Sequence, residues 1–205
     1  MGTNTRTSQD LDFFYFIGST YTYLSVMRIE EVAAKENIKV RWRPFSVRTI
    51  MIKQNNSPFS GKPVKAQYMW RDIERRAASH NIPFKSIPAY PVDPKELANR
   101  VAIIAAEEGW VSSYTKAVYE DWFLENNMPG DVTRLRLILK KLSKDPDVIL
   151  AHADTPEIQE KFAAETVIAE NLGIFGSPTF VSGNEIFWGD DRLEDAIRWA
   201  KRAGT

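Results

Sequence analysis

No cysteine occurs among the 205 residues of the chain. That absence excludes structural disulfides, a thiol nucleophile, dithiol exchange and thiolate metal sites together. Any sulfur chemistry must be brought in by a bound molecule. Histidine is nearly as scarce: His80 and His152 are the only two, and a zinc site would have to draw most of its ligands from carboxylates. No metal is expected. Neither sign of charge is in surplus, with 27 basic against 27 acidic side chains, so counterion release gives no general pull toward nucleic acid or an anionic membrane. The longest uncharged run, Phe13 to Met27, is shorter than the roughly 20 residues a spanning helix needs, and no basic segment of a signal peptide precedes it. Arg6 stands where a myristoylation signal requires Ser or Thr. These absences point to a soluble, cytoplasmic protein with neither a nucleic-acid nor a membrane partner.

What is present has three parts. After a polar stretch from Met1 to Gln9 that reads as a frayed tail, Leu11 to Ile17 forms an almost continuous apolar and aromatic run, which suits a strand buried on both faces. Gly18-Ser19-Thr20 breaks it. Val26, Ile29, Val32 and Ala33 then recur at helical spacing, and Ile38, Val40 and Trp42 alternate with charged residues at period two. Strand, helix, strand in this order predicts a right-handed βαβ unit. From Thr49 to Glu170 strand signals vanish and helical patterns follow one another, with Pro83, Pro88, Pro91 and Pro94 marking one extended connector. A helix from about Pro156 to Leu172 ends at Gly173. Thr179 to Val181 and Glu185 to Trp188 read as a hairpin around Ser182-Gly183-Asn184, and Leu193, Ala196, Ile197 and Ala200 mark a final helix with Asp190 or Asp191 as its N-cap. Joined across the helical stretch, the two ends make an α/β fold of thioredoxin type. Residues 10–48 and 160–205 would form a discontinuous sheet domain flanked by helices, and residues 49–159 an all-helical insertion.

In such a fold a redox-active Cys-X-X-Cys sits where the first strand gives way to the first helix. Here Ser19 and Thr22 occupy the two cysteine positions. Converging N–H groups and the helix dipole favour an anion there, and a hydroxyl can donate to a thiolate without forming a disulfide; equally, Ser19 reads as an ordinary N-cap. Ser177-Pro178 stands where such folds carry a cis-proline that presents backbone groups to a bound peptide, or where a trans proline simply opens a strand. His152-Ala153-Asp154 looks like a His–carboxylate pair, but it is read as part of a polar connector. Tyr114, Tyr119, Trp122 and Phe123 form an aromatic stripe best explained by packing, with an aromatic-acid pocket as the alternative.

Three stretches, Phe13 to Leu24, Phe175-Gly176-Ser177-Pro178-Thr179-Phe180-Val181 and Phe187-Trp188-Gly189-Asp190-Asp191-Arg192-Leu193, resemble in order the signature segments of the 2-hydroxychromene-2-carboxylate isomerase family, kin to kappa-class glutathione transferases. The resemblance runs from about residue 11 to residue 200. It implies a DsbA-like thioredoxin fold with a helical insertion, glutathione as cofactor, and a homodimer. It further implies that Ser19 faces the glutathione sulfur, and that Ser177, ahead of Pro178, pairs its backbone with the cysteinyl part. Asp190 and Asp191 would hold the γ-glutamyl end, while Asn56 and Lys65 would supply polar contacts, including a cation for the glycine carboxylate. Relatives usually carry Pro after the serine and often Asp three residues before it, where this chain has Thr20 and Phe16. Thr20 thus offers a second hydroxyl beside Ser19. The activity implied is glutathione-dependent isomerisation of an aromatic or chromene carboxylate. Glutathione transfer, or a non-catalytic module that binds glutathione or a peptide, are the alternatives.

Overall fold

A computed structural model describes residues 10–56, 59 and 61–202; the Met1–Gln9 tail lies outside them. Strands β1 (Asp10–Tyr15), β2 (Lys39–Pro44), β3 (Thr179–Ser182) and β4 (Glu185–Trp188) form one sheet in the order β2-β1-β3-β4. The β1–β2 pair is parallel and the other two are antiparallel. Helix α1 (Thr22–Lys35) makes the crossover between β1 and β2, as a parallel pair requires. Every helix between β2 and β3 belongs to the inserted stretch or leads back from it: α2 (Val47–Lys53), α3 (Pro63–Ser79), α4 (Leu97–Glu107), α5 (Val111–Phe123), α6 (Val132–Lys141), α7 (Pro146–Ala153) and α8 (Pro156–Asn171). A 3-10 turn at Asp190–Arg192 leads into α9 (Leu193–Arg202). The fold is therefore the thioredoxin-like α/β arrangement with an additional helical segment that the sequence pattern implies.

Period-two alternation in β1 explains its unbroken apolar character. Leu11, Phe13 and Tyr15 enter one core with α1, α3, α4, α5 and α9, whereas Phe14 and Phe16 enter a second core with Phe45, Val47, Ile50, Ala169 and Val181. Burying each such side chain contributes roughly 1.5–3 kcal/mol. The ladder ends at Tyr15, two residues earlier than the apolar run, because the Asn99 side chain takes over both main-chain groups of Ile17. Its Oδ1 accepts the Ile17 N–H at 2.7 Å and its Nδ2 donates to the Ile17 carbonyl at 2.9 Å. β3 and β4 join through Gly183, whose φ of 60° needs a residue tolerant of the left-handed region.

Two local readings are corrected. His152 lies in helix α7, not in a connector, because Asp145 caps that helix through the Asp147 and Val148 N–H groups and Pro146 opens it. The last helix is not capped by an aspartate side chain: Gly189 precedes the 3-10 turn, and the Asp190 carboxylate is taken by arginines. The aromatic stripe of α5 is core, with Tyr114, Tyr119, Trp122 and Phe123 all essentially inaccessible.

Candidate functional site

The turn between β1 and α1 is built by groups remote in sequence. Tyr119 on α5 directs its hydroxyl at the carbonyls of both Phe16 (2.9 Å) and Ser19 (3.0 Å). Asn99 on α4 grips Ile17 as described, and Gly18, at φ 131°, lies so close under Phe16 that a Cβ would stand 2.7 Å from its ring. Only glycine fits there. Helix α1 begins at Thr22, and Ser19 is not its N-cap: no side chain caps α1.

Instead Ser19 Oγ donates to the Ser177 carbonyl at 2.7 Å. Thr22 Oγ1 lies 2.9 Å from Ser177 Oγ, which also accepts the Phe16 N–H at 3.0 Å. Both positions that hold cysteines in redox-active thioredoxin folds are thus tied to Ser177, one through its backbone and one through its hydroxyl. Thr22 is fully buried, so of the two hydroxyls only Ser19 opens on the cleft. The Ser177-Pro178 peptide is cis, and the Pro178 carbonyl accepts the Gly189 N–H at 3.0 Å. Thr20 Oγ1 donates to Met69 Sδ at 3.0 Å and is buried, which engages the second hydroxyl with a helix α3 thioether.

Ser19 and Ser177 stand in a cleft of about 980 Å³ that Asn56 and Lys65 also line. Four of the seven residues singled out by resemblance therefore meet in one cavity. Its walls include Phe16, Met51, Tyr68, Tyr90, Phe175 and Trp188. The indole of Trp188 lies directly on Gly176, where a Cβ would meet Nε1 at 2.1 Å, and meets the Phe175 ring at a 60° tilt with 4.8 Å between centroids. Lys65 Nζ lies 5.7 Å from the Phe59 ring. Tyr21, also on the wall, donates to Asp72 at 3.0 Å; burial, then that carboxylate, pushes its phenol well up.

The two aspartates separate. Asp190, 2% exposed, is held by Arg76 Nε at 2.8 Å and Arg28 Nη2 at 3.3 Å, with Ser25 Oγ also at 3.3 Å. It pins α3 and α1 to the turn before α9, and its carboxylate does not line the cleft. Asp191 is half exposed and pairs with Arg192 at 2.8 Å; it too lies outside the cleft lining, one turn beyond Trp188. Sequence reasoning missed Arg48. This α2 residue lines the cleft, donates to the Val92 and Asp93 carbonyls at 2.9 and 3.0 Å, and lies 5.2 Å over the Phe16 ring. Arg48 and Lys65 are cations, and among the described lining residues there is no Asp or Glu.

A family model described as DSBA-like thioredoxin domain matches residues 10–197, and the chain belongs to that family. Among curated proteins it is similar to 2-hydroxychromene-2-carboxylate isomerases. The one from Sphingobium xenophagum is 24% identical over 189 residues, 91% of this chain and 95% of that protein. The one from Pseudomonas putida is 23% identical over 186 residues, 89% of this chain and 90% of that protein. A solved 2-hydroxychromene-2-carboxylate isomerase superposes with a TM-score of 0.84 at 24% identity, covering 94% of this chain and 95% of the other. A cytosolic disulfide reductase from Pseudomonas aeruginosa, solved with GSH, gives 0.65 at 14% identity, covering 93% and 95%. Among the described residues no group of three or more His, Asp or Glu is placed to hold a metal ion, and no helix is long and apolar enough to cross a membrane.

Proposed function

We propose that the protein is a glutathione-dependent isomerase of an aromatic or chromene carboxylate. The observation that carries this reading is the Ser19–Ser177 pair, in a cleft with Asn56 and Lys65, of a chain that has no thiol of its own. Similarity to 2-hydroxychromene-2-carboxylate isomerases along nine-tenths of the chain supports the reaction, and a neighbour in fold is named as having been solved with GSH.

The polar groups of the cleft, donors and one acceptor, fit an anionic peptide. Ser177 offers a backbone carbonyl, Ser19 a hydroxyl, Asn56 an amide and Lys65 a cation, and no carboxylate among the described lining residues opposes negative charge. In this reading the Ser177 carbonyl changes partner on binding: it takes a cysteinyl N–H, which frees the Ser19 O–H to donate to sulfur. Asp191, the more accessible aspartate, holds the γ-glutamyl ammonium. The Asp190 side chain, committed to Arg28 and Arg76, positions that segment without touching the ligand.

Glutathione, when bound, supplies a thiolate that adds to a conjugated double bond and leaves again once the resulting single bond has rotated. The task of Ser19 is to make that ionisation favourable. A free thiol has a pKa of about 8.5, and lowering it by about two units requires ~2.7 kcal/mol, within reach of a charge-assisted hydrogen bond at the start of a helix. Asn99 and Tyr119 hold the main chain around Ser19, so that only its hydroxyl has to turn when the ligand arrives. A homodimer in the cytoplasm completes the reading.

Turnover of 2-hydroxychromene-2-carboxylate by the purified protein tests it. Isomerisation should require glutathione and consume none. Stoichiometric loss of the thiol would assign a transferase instead, and absence of glutathione binding would leave a non-catalytic module.

A further inference from the structure

Lys65 is matched by resemblance to one carboxylate of glutathione, which leaves the other cation of the cleft without a role. Arg48 is set in place by neutral groups. Its Nη2 donates to the Val92 carbonyl at 2.9 Å and its Nη1 to the Asp93 carbonyl at 3.0 Å. The Asp93 carboxylate is turned away, accepting the N–H groups of Leu97 and Ala98 at 3.1 and 2.9 Å. The nearest acid, Glu96, reaches Nη1 only at 3.5 Å and takes a shorter bond, 2.7 Å, from Ser46. Three of the five N–H donors of a guanidinium are used in these contacts. The side chain is 32% exposed, in the cleft, over Phe16. Phe16 in turn touches Gly18, the neighbour of Ser19. A positive, oriented guanidinium thus stands one ring away from the Ser19 turn, with Met51, Tyr90 and Val92 as adjoining apolar wall.

We propose that this end of the cleft is a subsite for an aromatic carboxylate, Arg48 holding the carboxylate and Phe16, Met51 and Tyr90 bounding the ring. The assignment rests on the glutathione reading, which gives Lys65 and Ser19 to the tripeptide. A cleft of about 980 Å³ is at the upper end of the ~300–1,000 Å³ typical of small-molecule sites, in keeping with two ligands side by side. Arginine suits the task because its planar fork fits a carboxylate and remains charged when partly desolvated.

The test uses cinnamate and its uncharged analogue cinnamyl alcohol, titrated calorimetrically against the full-length protein with and without saturating glutathione. Wild type should bind cinnamate at least tenfold more tightly than the alcohol. Arg48→Met should abolish that preference, Arg48→Lys should keep part of it, and Lys65→Met should keep all of it, with glutathione affinity within twofold of wild type in both Arg48 variants. Arg48→Gln, which can still donate to the main-chain carbonyls, gives the same reading should the methionine variant fail to fold. No preference in wild type, or a preference that survives loss of Arg48 or follows Lys65, overturns the subsite while leaving glutathione binding intact. An Arg48-dependent preference in a protein that does not bind glutathione would keep the subsite and defeat the cofactor reading.

Discussion

Ser19 and Ser177, 158 residues apart in the chain, are joined by a 2.7 Å hydrogen bond from the hydroxyl of the first to the carbonyl of the second. The bond couples the β1–α1 turn to the segment before β3. The Ser177 hydroxyl adds a second tie by accepting the N–H of Phe16, a buried residue. Removing that hydroxyl strands a buried donor, which costs about 1–3 kcal/mol. Ser177→Ala should therefore lower the unfolding free energy in urea by that amount. It should change glutathione affinity little, since the backbone groups offered to the peptide remain.

Asp190 and Asp191 should respond in opposite ways to truncation. Asp190→Ala breaks a buried ion-pair cluster and should destabilise the protein by about 3–5 kcal/mol. Asp191→Ala alters an exposed pair and should leave stability within about 0.5 kcal/mol. Loss of one charged contact to the ligand, about 1.5–3 kcal/mol, should nevertheless weaken glutathione binding by about tenfold or more. Calorimetric titration together with urea unfolding of the two variants reads both quantities.

Arg28 also binds Glu194, on the first turn of α9. Burial pushes the Glu194 carboxyl upward, but its hydrogen bond and charge pairing with Arg28 prevail and hold it below its ordinary value. A depressed carboxylate contributes stability that is fully present above its unfolded pKa, about 4.3, and is lost as pH falls through the folded value. The stability difference between wild type and Glu194→Gln should therefore be constant from about pH 7 to pH 5 and close below about pH 4. A difference that instead grew on acidification would show that Arg28 does not stabilise the ionised form.

The strands were legible because β1 is an almost continuous apolar run, β2 alternates at period two and Gly183 marks the hairpin; their order β2-β1-β3-β4 came from the structure. Of the candidate cleft, Ser19 and Ser177 were legible because each lies within a recognisable local stretch. What escaped depended on contacts across the fold. Arg48 looks like any arginine on a short helix until the Val92 and Asp93 carbonyls orient it. Asn99 did leave a signal, a lone amide among the apolar residues of α4, but its partner at Ile17 is 82 positions away. Asp190 resembled a helix cap, and only the folding of α3 against α1 and α9 brings Arg76 to it. Thr20, adjacent to Ser19 in sequence, also lines the cleft, but its hydroxyl is committed to the Met69 thioether.

The account turns on Ser19, and no other hydroxyl, ionising a thiol that the chain itself lacks. Ultraviolet titration of the thiolate of glutathione bound to wild type, Ser19→Ala and Thr20→Val tests this most directly. In wild type the thiol should titrate about two units below the free value of about 8.5. Ser19→Ala should return it upward by about a unit or more, whereas Thr20→Val should leave it in place. A bound thiol that titrates identically in wild type and Ser19→Ala would contradict the account.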